Sequence, residues 1–272
     1  MKRVFATLAA WCVVLANPAW PAEHILARQP VLIVTTGDPA MFPKGWRGSP
    51  VEASATPIPP ERYERATAIL TRALHKYPKN MLAKHLRKVY VVSNLRFSGI
   101  WATGTYADDV IYIQVGDEQK GPTANHIELD FHAEFSSILL QKYRREFNKE
   151  GWNAINPPGF HYGKGGVDAA LHNKISEPDG PERYRRGFWH QYSESDIEED
   201  FNAFAALLFA GGPDRWQNAI EYPRLHAKLQ LTLNFYAKID PAFTPAFFRH
   251  LNDVPEPARA STGRRLPIAP HP

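Results

Sequence analysis

Residues 123–147, TANHIELDFHAEFSSILLQKYRREF, follow the spacing of a buried helix with one misfit. Thr123 is a suitable N-cap, and Ile127, Phe131, Phe135, Ile138 and Leu139 recur at helical intervals to form one apolar stripe. Glu134 interrupts that stripe: its neighbours at i−7, i−3 and i+4 are Ile127, Phe131 and Ile138, so its carboxyl is expected to face inward. A carboxylate in such a place is costly unless it is hydrogen-bonded, paired or metal-bound.

A second helix of the same kind is expected downstream. Ser195 and Glu198 have the spacing of a capping box, residues 201–210 are apolar on nearly every side, and Gly211, Gly212 and Pro213 form a stop. Near its start stands Glu199, with Ala203, Ala206 and Ala210 on the same face. Small side chains there leave room beside the acid.

Between these helices, residues 151–190 are rich in Gly, Pro and aromatics and show no strong period, the mark of a site-forming loop. Its aromatics, Trp152, Phe160, Tyr162, Phe188 and Trp189, could line a groove or anchor the loop. Upstream, 30–36 (PVLIVTT) reads as a buried strand, 37–60 as an extended loop, and 60–77 as a helix opened by Pro59–Pro60 and closed by Pro78. A helical turn at 81–86 precedes two β-rich runs, 88–95 and 110–115, whose Gly-rich link SGIWATGT suggests an antiparallel pair. A last helix is expected over 222–238.

The chain has 272 residues, 32 of them basic and 28 acidic, giving a formal charge of +4. The excess sits at the ends: Lys2 and Arg3 stand in 1–22 without an acid, and Arg259, Arg264 and Arg265 stand in 255–272 against Glu256. The remainder is formally neutral, which argues against nucleic acid as a partner. Residues 1–22, MKRVFATLAAWCVVLANPAWPA, have the basic start and short apolar run of a cleaved signal peptide, so export to the periplasm or medium is expected. No segment has the ~20 apolar residues of a transmembrane helix. Cys12, the one cysteine, lies inside this leader, which leaves no disulfide or thiolate metal site afterwards.

The strings HAEFSSIL (132–139) and EEDFNAFAALLF (198–209), with Tyr192 seven residues before Glu199, resemble the gluzincin zinc metallopeptidases, in particular the small secreted branch related to the lethal-factor catalytic domain. Residues 61–115 and the closing LNFYAKIDPAFTPAFF resemble the layout of that branch. In the family two histidines of HExxH and a distant Glu bind zinc, the motif's Glu activates the metal-bound water, and a tyrosine stabilises the oxyanion. The resemblance implies the general-base position for Glu134, the third-ligand position for Glu199 and the oxyanion position for Tyr192.

It also places Ala133 and Ser137 where the two zinc-binding histidines belong. His132 is the adjacent imidazole and a candidate ligand, although two residues of helix turn it about 200° from Glu134. His126 and Asp130 have i, i+4 spacing, with Ile127 where a base would stand. His161, His172 and His190 lie in the long loop. Glu134 has a plainer reading as a carboxyl hydrogen-bonded to a core group such as Tyr192. The acids 198–200 have one as favourable charges in a helix's first turn.

The expected architecture is α+β, a small mixed or antiparallel sheet packed on a helical half in a zincin-like fold. It comprises a signal peptide (1–22), one domain (23–254) and a flexible tail (255–272). The expected function is that of a secreted metallopeptidase-like protein with a degenerate zinc motif. Two versions stand: an impaired or inactive protein that holds a peptide or protein ligand, or a hydrolase with zinc in a non-standard ligand set.

Overall fold

The computed structural model describes residues 23–28, 30–116, 122–165, 169 and 179–255. The leader, His172 and residues 256–272 of the tail lie outside the described residues.

Among the described residues, seven strands form one mixed sheet: β1 (His24–Ala27), β2 (Leu32–Thr35), β3 (Ser54–Pro57), β4 (Lys88–Phe97), β5 (Ile100–Trp101), β6 (Gly104–Ala107) and β7 (Val110–Gln114). The order across the sheet is β1-β2-β4-β7-β6, with β3 and β5 pairing to the distal part of β4. The antiparallel pairing expected of 88–95 and 110–115 is not what forms. β4 and β7 run parallel, Lys88 opposite Val110 and Val92 opposite Gln114. The stretch from Ser98 to Asp109 explains the difference, because it contains two reversals, one inside the Gly-rich link and one just after it. Ser98 and Gly99 both have positive φ (50° and 78°), the requirement of a tight two-residue hairpin, and join β4 to β5. A second reversal at Asp108 (φ 54°) joins β6 to β7. Two reversals restore the direction, and β6 is left as the sheet's edge.

β4 is apolar on both faces because both are covered. Val89 and Val91 join Ile111 and Ile113 in the main core, whereas Tyr90 and Val92 face a smaller aromatic cluster containing Phe42 and Tyr112. The main core is closed by helices: α1 (Tyr63–Leu74), α2 (Lys79–His85), α3 (Ala124–Lys142), α4 (Lys149–Ile155), α5 (Pro181–Arg186), α6 (Ile197–Ala210), α7 (Gly212–Glu221), α8 (Pro223–Ile239) and α9 (Pro245–Leu251). α1 presents Ala66, Ile69, Leu70 and Ala73 to the sheet, and α3 presents Ile127, Phe131, Phe135 and Ile138, all fully or nearly fully buried. Each such phenylalanine contributes about 2–3 kcal/mol of transfer free energy.

α3 begins as expected, with the Thr123 hydroxyl accepting from His126 N–H. α6 does not. Its N-cap is Asp196, whose Oδ1 accepts from Glu198 N–H (2.7 Å) and Glu199 N–H (3.0 Å). Asp caps as well as Ser, and Asp196 is one residue closer to the first turn, so the Ser195 hydroxyl is left buried without a partner. The segment expected to be loop from 151 to 190 carries α4 and α5, whereas the expected stop at Gly211–Pro213 does end α6 at Ala210, and Gly212–Pro213 then opens α7 with Pro in its first turn. Lys228 of α8 and Asp200 of α6, both 0% exposed, meet at 2.6 Å and lock the helical half.

Candidate functional site

A cleft of about 500 Å³ lies between the β5–β6 edge and helices α3 and α6. Glu134, Tyr192 and Glu199 all line it. α3 aims Glu134 across the cleft at β6, where Gly104 comes so close that a Cβ there would stand 3.1 Å from the Glu134 carboxyl oxygen. Glu199 comes from the first turn of α6, above Ala203 and Ala206, which leave the cleft open. Tyr192, on the 3-10 turn Gln191–Glu194, donates its hydroxyl to Glu199 Oε1 at 2.9 Å.

Asp130, one helical turn before Glu134, adds a third carboxyl. Burial raises its pKa to about 6, against a hydrogen bond from Thr103 that lowers it. Burial likewise pushes Glu199 up to about 7, opposed by the Tyr192 hydroxyl and reinforced by Asp196 and Glu198. Glu134 is driven well above the usual carboxylate range, first by burial and then by the charges of Glu199, Asp130 and Glu198. Both carboxyls are therefore shifted toward their neutral forms, in which each can donate a hydrogen bond. Burial and the Glu199 carboxylate push the Tyr192 hydroxyl upward as well, so it acts as a donor.

His132 is not brought to this cleft. It is 0% exposed on the other side of α3, with Nδ1 2.8 Å from the Tyr77 hydroxyl and its ring stacked on Phe209 at 4.9 Å. Its Nε2 is 3.7 Å from Glu128 Oε1, which Lys76 also holds, while Arg72 holds Glu128 Oε2. Burial depresses its pKa to about 4, and the ring packs as a neutral core group. The turn of α3 dictates this, because side chains two residues apart point to opposite sides.

The positions that the resemblance assigns to the zinc-binding histidines hold a different structure. Ala133 lines the cleft without a donor atom. Ser137 is 1% exposed, and its hydroxyl accepts from Asn202 Nδ2 at 2.7 Å. Asn202 Oδ1 is hydrogen-bonded by the Ser136 hydroxyl, so one amide spans both serines. Among the described residues, no three His, Cys, Asp or Glu side chains come together in a group that could hold a metal. At the three positions that the resemblance assigns to zinc ligands there is one carboxyl, Glu199, beside the Ala133 methyl group and an engaged Ser137 hydroxyl, and that set does not fit zinc, which needs at least three protein ligands.

Several cleft residues had no clear signal in the sequence. Arg215 enters from α7, paired at 3.8 Å with Asp179, and Trp101 stands 53% exposed at the mouth with the Arg96 guanidinium stacked on it. Asn202 is one turn beyond Glu199 on a helix that otherwise reads as apolar. His190, read as one of the loop histidines, lines the cleft; Ser193 N–H donates to its Nδ1, which places its proton on Nε2. Burial lowers its pKa to about 4. Of the loop aromatics, Trp152 and Phe188 are fully buried anchors, and Tyr162 donates to the buried Asp200.

Comparison with known protein families finds no matching family model, and comparison with curated proteins finds no match. Among solved structures the chain is similar to a Bacteroides caccae protein described as a "putative zinc-binding metallo-peptidase", with a TM-score of 0.51 and 17% identity over 73% of this chain and 78% of that one. The fold is therefore metallopeptidase-like. Among the described residues, no helix is long and apolar enough to cross a membrane.

Proposed function

We propose that this protein uses a metallopeptidase-like fold as a binding protein, holding an extended peptide or protein segment in the cleft without zinc-dependent hydrolysis. The observation that carries this reading is the Ser136–Asn202–Ser137 network beside Ala133. Where two imidazoles would be needed, this chain has closed a hydrogen-bonded core. The acids that remain, Glu134 and Glu199, are raised toward their neutral forms, in which they serve as hydrogen-bonding groups for a polar ligand.

The edge strand β6 supports a peptide as the ligand. Its outer backbone groups are unpaired in the sheet and border the cleft, so an extended segment can add as a further strand. Trp101 offers apolar surface at the mouth, and Arg215 adds a partly exposed positive charge to the lining. The basic start and apolar run of residues 1–22 support an exported location for this activity. The second reading, a hydrolase with a non-standard ligand set in which Glu134 activates water, is favoured by one observation: Glu134, Tyr192 and Glu199 do meet in one cleft.

Elemental analysis of protein purified without chelator, together with calorimetric zinc titration and a peptide-library cleavage assay, separates the two. The binding reading expects no stoichiometric zinc, no cleavage, and retention of a subset of the peptides. Stoichiometric zinc with cleavage that Glu134→Gln abolishes would overturn it.

A further inference from the structure

The sheet ends in two edges: β6 borders the cleft, and β1 is the other. Beside β1 lies an open groove of about 690 Å³, walled by the strand on one side and by the outer flank of α1 on the other. His24, stacked on Tyr63 at 4.6 Å, ties the strand to the head of the helix. The groove shares no lining residue with the cleft.

The strand wall is unfinished among the described residues. β1 pairs with β2 on one side, Ile25 opposite Val34, and the backbone groups on its other side have no partner in the sheet. Ile25, which lines the groove, is 37% exposed, one of three large apolar side chains left exposed among the described residues. A bare edge carrying an apolar side chain is a template for another strand.

The helix wall says which partner fits. Glu64, Ala68 and Arg72 stand four residues apart, so they form one ridge along the outside of α1, and all three are exposed and line the groove. Arg72 gives Nε and Nη2 to Glu128 Oε2, yet its side chain remains 52% exposed. The ridge reads acid, methyl, base, with Ala68 at its centre. Turned end for end about Ala68 it becomes its own complement. Glu64 of one copy is then level with Arg72 of the other, twice, about 6 Å to either side of the centre.

We infer that this face is the contact between two copies of this chain, related by a two-fold axis perpendicular to the sheet. Such an axis keeps both α1 helices on the same face of the sheet and sets them antiparallel around Ala68. It also brings the two β1 strands edge to edge in antiparallel pairing, so that one sheet runs through both copies. The small Ala68 lets the helix flanks approach, and the Ile25 side chains fill the grooves between strand and helix. A parallel arrangement is rejected, because it would put like charges level. The cleft lies at the opposite edge of the sheet, so both copies keep β6 free and the dimer presents two clefts on one body.

The test is sedimentation equilibrium of the purified protein over a range of concentrations. The expected result is a reversible monomer–dimer equilibrium with no larger species, because an isologous contact closes on itself. Ala68→Lys and Ala68→Glu each set like charges together at the axis and should each weaken the dimer about tenfold or more. Mixing those two variants should restore a dimer containing one copy of each. Ile220→Lys, which removes the exposed apolar side chain of α7, should leave the dimer unchanged. Both positions are exposed, so all three variants should fold, and circular dichroism checks this. A monomer at every concentration overturns the inference. So does a dimer that neither Ala68 variant weakens, a mixture that associates no better than its components, a dimer lost in Ile220→Lys, or open-ended assembly beyond two copies.

Discussion

Replacing Glu199 by Gln should stabilise this protein at pH 8 and leave it unchanged at pH 4. The carboxyl titrates near 4.5 in the unfolded chain and near 7 in the folded one, because burial, with Asp196 and Glu198 adding to it, outweighs the Tyr192 hydrogen bond. An acid whose pKa is raised on folding costs nothing below pH 4.5, where it is neutral in both states. Between 4.5 and 7 the unfolded chain loses the proton and the folded chain keeps it, so stability falls as pH rises, and above 7 the loss is complete. At about 1.4 kcal/mol per pH unit the full loss is about 3 kcal/mol, an upper figure because the cleft admits water. The Gln amide removes the titration and keeps a carbonyl to accept from Tyr192. Urea unfolding followed by tryptophan fluorescence at pH 4, 5, 6, 7 and 8 measures this. Glu199→Gln should exceed the wild type by about 2–3 kcal/mol at pH 8, agree with it at pH 4, and show a flatter profile between. A variant no more stable than the wild type at pH 8 would refute the buried-carboxyl account of the cleft. Glu134 acts in the same sense, but the ionised Glu199 holds its proton on, so the two form one coupled system.

Other perturbations follow from the same geometry. Lys228→Met, which strands the fully buried Asp200 carboxylate, should cost about 3–5 kcal/mol by chemical denaturation, whereas removing both charges with apolar residues of similar size should recover most of it. Gly104→Ala should cost about 1–3 kcal/mol, since the methyl meets Glu134 at 3.1 Å and Ile113 at 3.2 Å, and Glu134→Ala in the same chain should return part of that loss. Ala133→His with Ser137→His should create a zinc site beside Glu199, and adding Asn202→Ala, which removes the amide packed against position 137 and gives the new imidazole room, should tighten it, read as stoichiometric zinc in the triple variant and weaker binding in the double. A folded triple variant that binds no zinc would refute the placement of these three positions around one centre.

Where local periodicity is strong and burial follows from it, the sequence was informative. The stripe Ile127, Phe131, Phe135, Ile138 is the buried face of α3, and Thr123 caps it. Ala203 and Ala206 do open the cleft beside Glu199. Choices between near-equivalent local solutions were not legible. Ser195 and Asp196 are both good caps, and only the geometry of the first turn selects Asp196. The residues between the two β-rich runs permit one reversal or two, and pairing across the sheet selects two. The partner of Asn202 lies 65 residues away on another helix, beyond the reach of any spacing rule.

What the sequence determined by itself is the chemical inventory: one glutamate on an inward helix face, a second at the head of an apolar helix with a tyrosine seven residues before it, and no imidazole at Ala133 or Ser137. Those follow from residue identity and helical period. Tertiary structure decided the rest. It brought Glu134, Tyr192 and Glu199 to one cleft, turned His132 into the opposite core, and filled the place beside Ala133 with an amide shared between two serines. The reason is physical: a helix sets the direction of a side chain, but what that side chain meets, and hence its proton affinity, depends on which distant element packs against it.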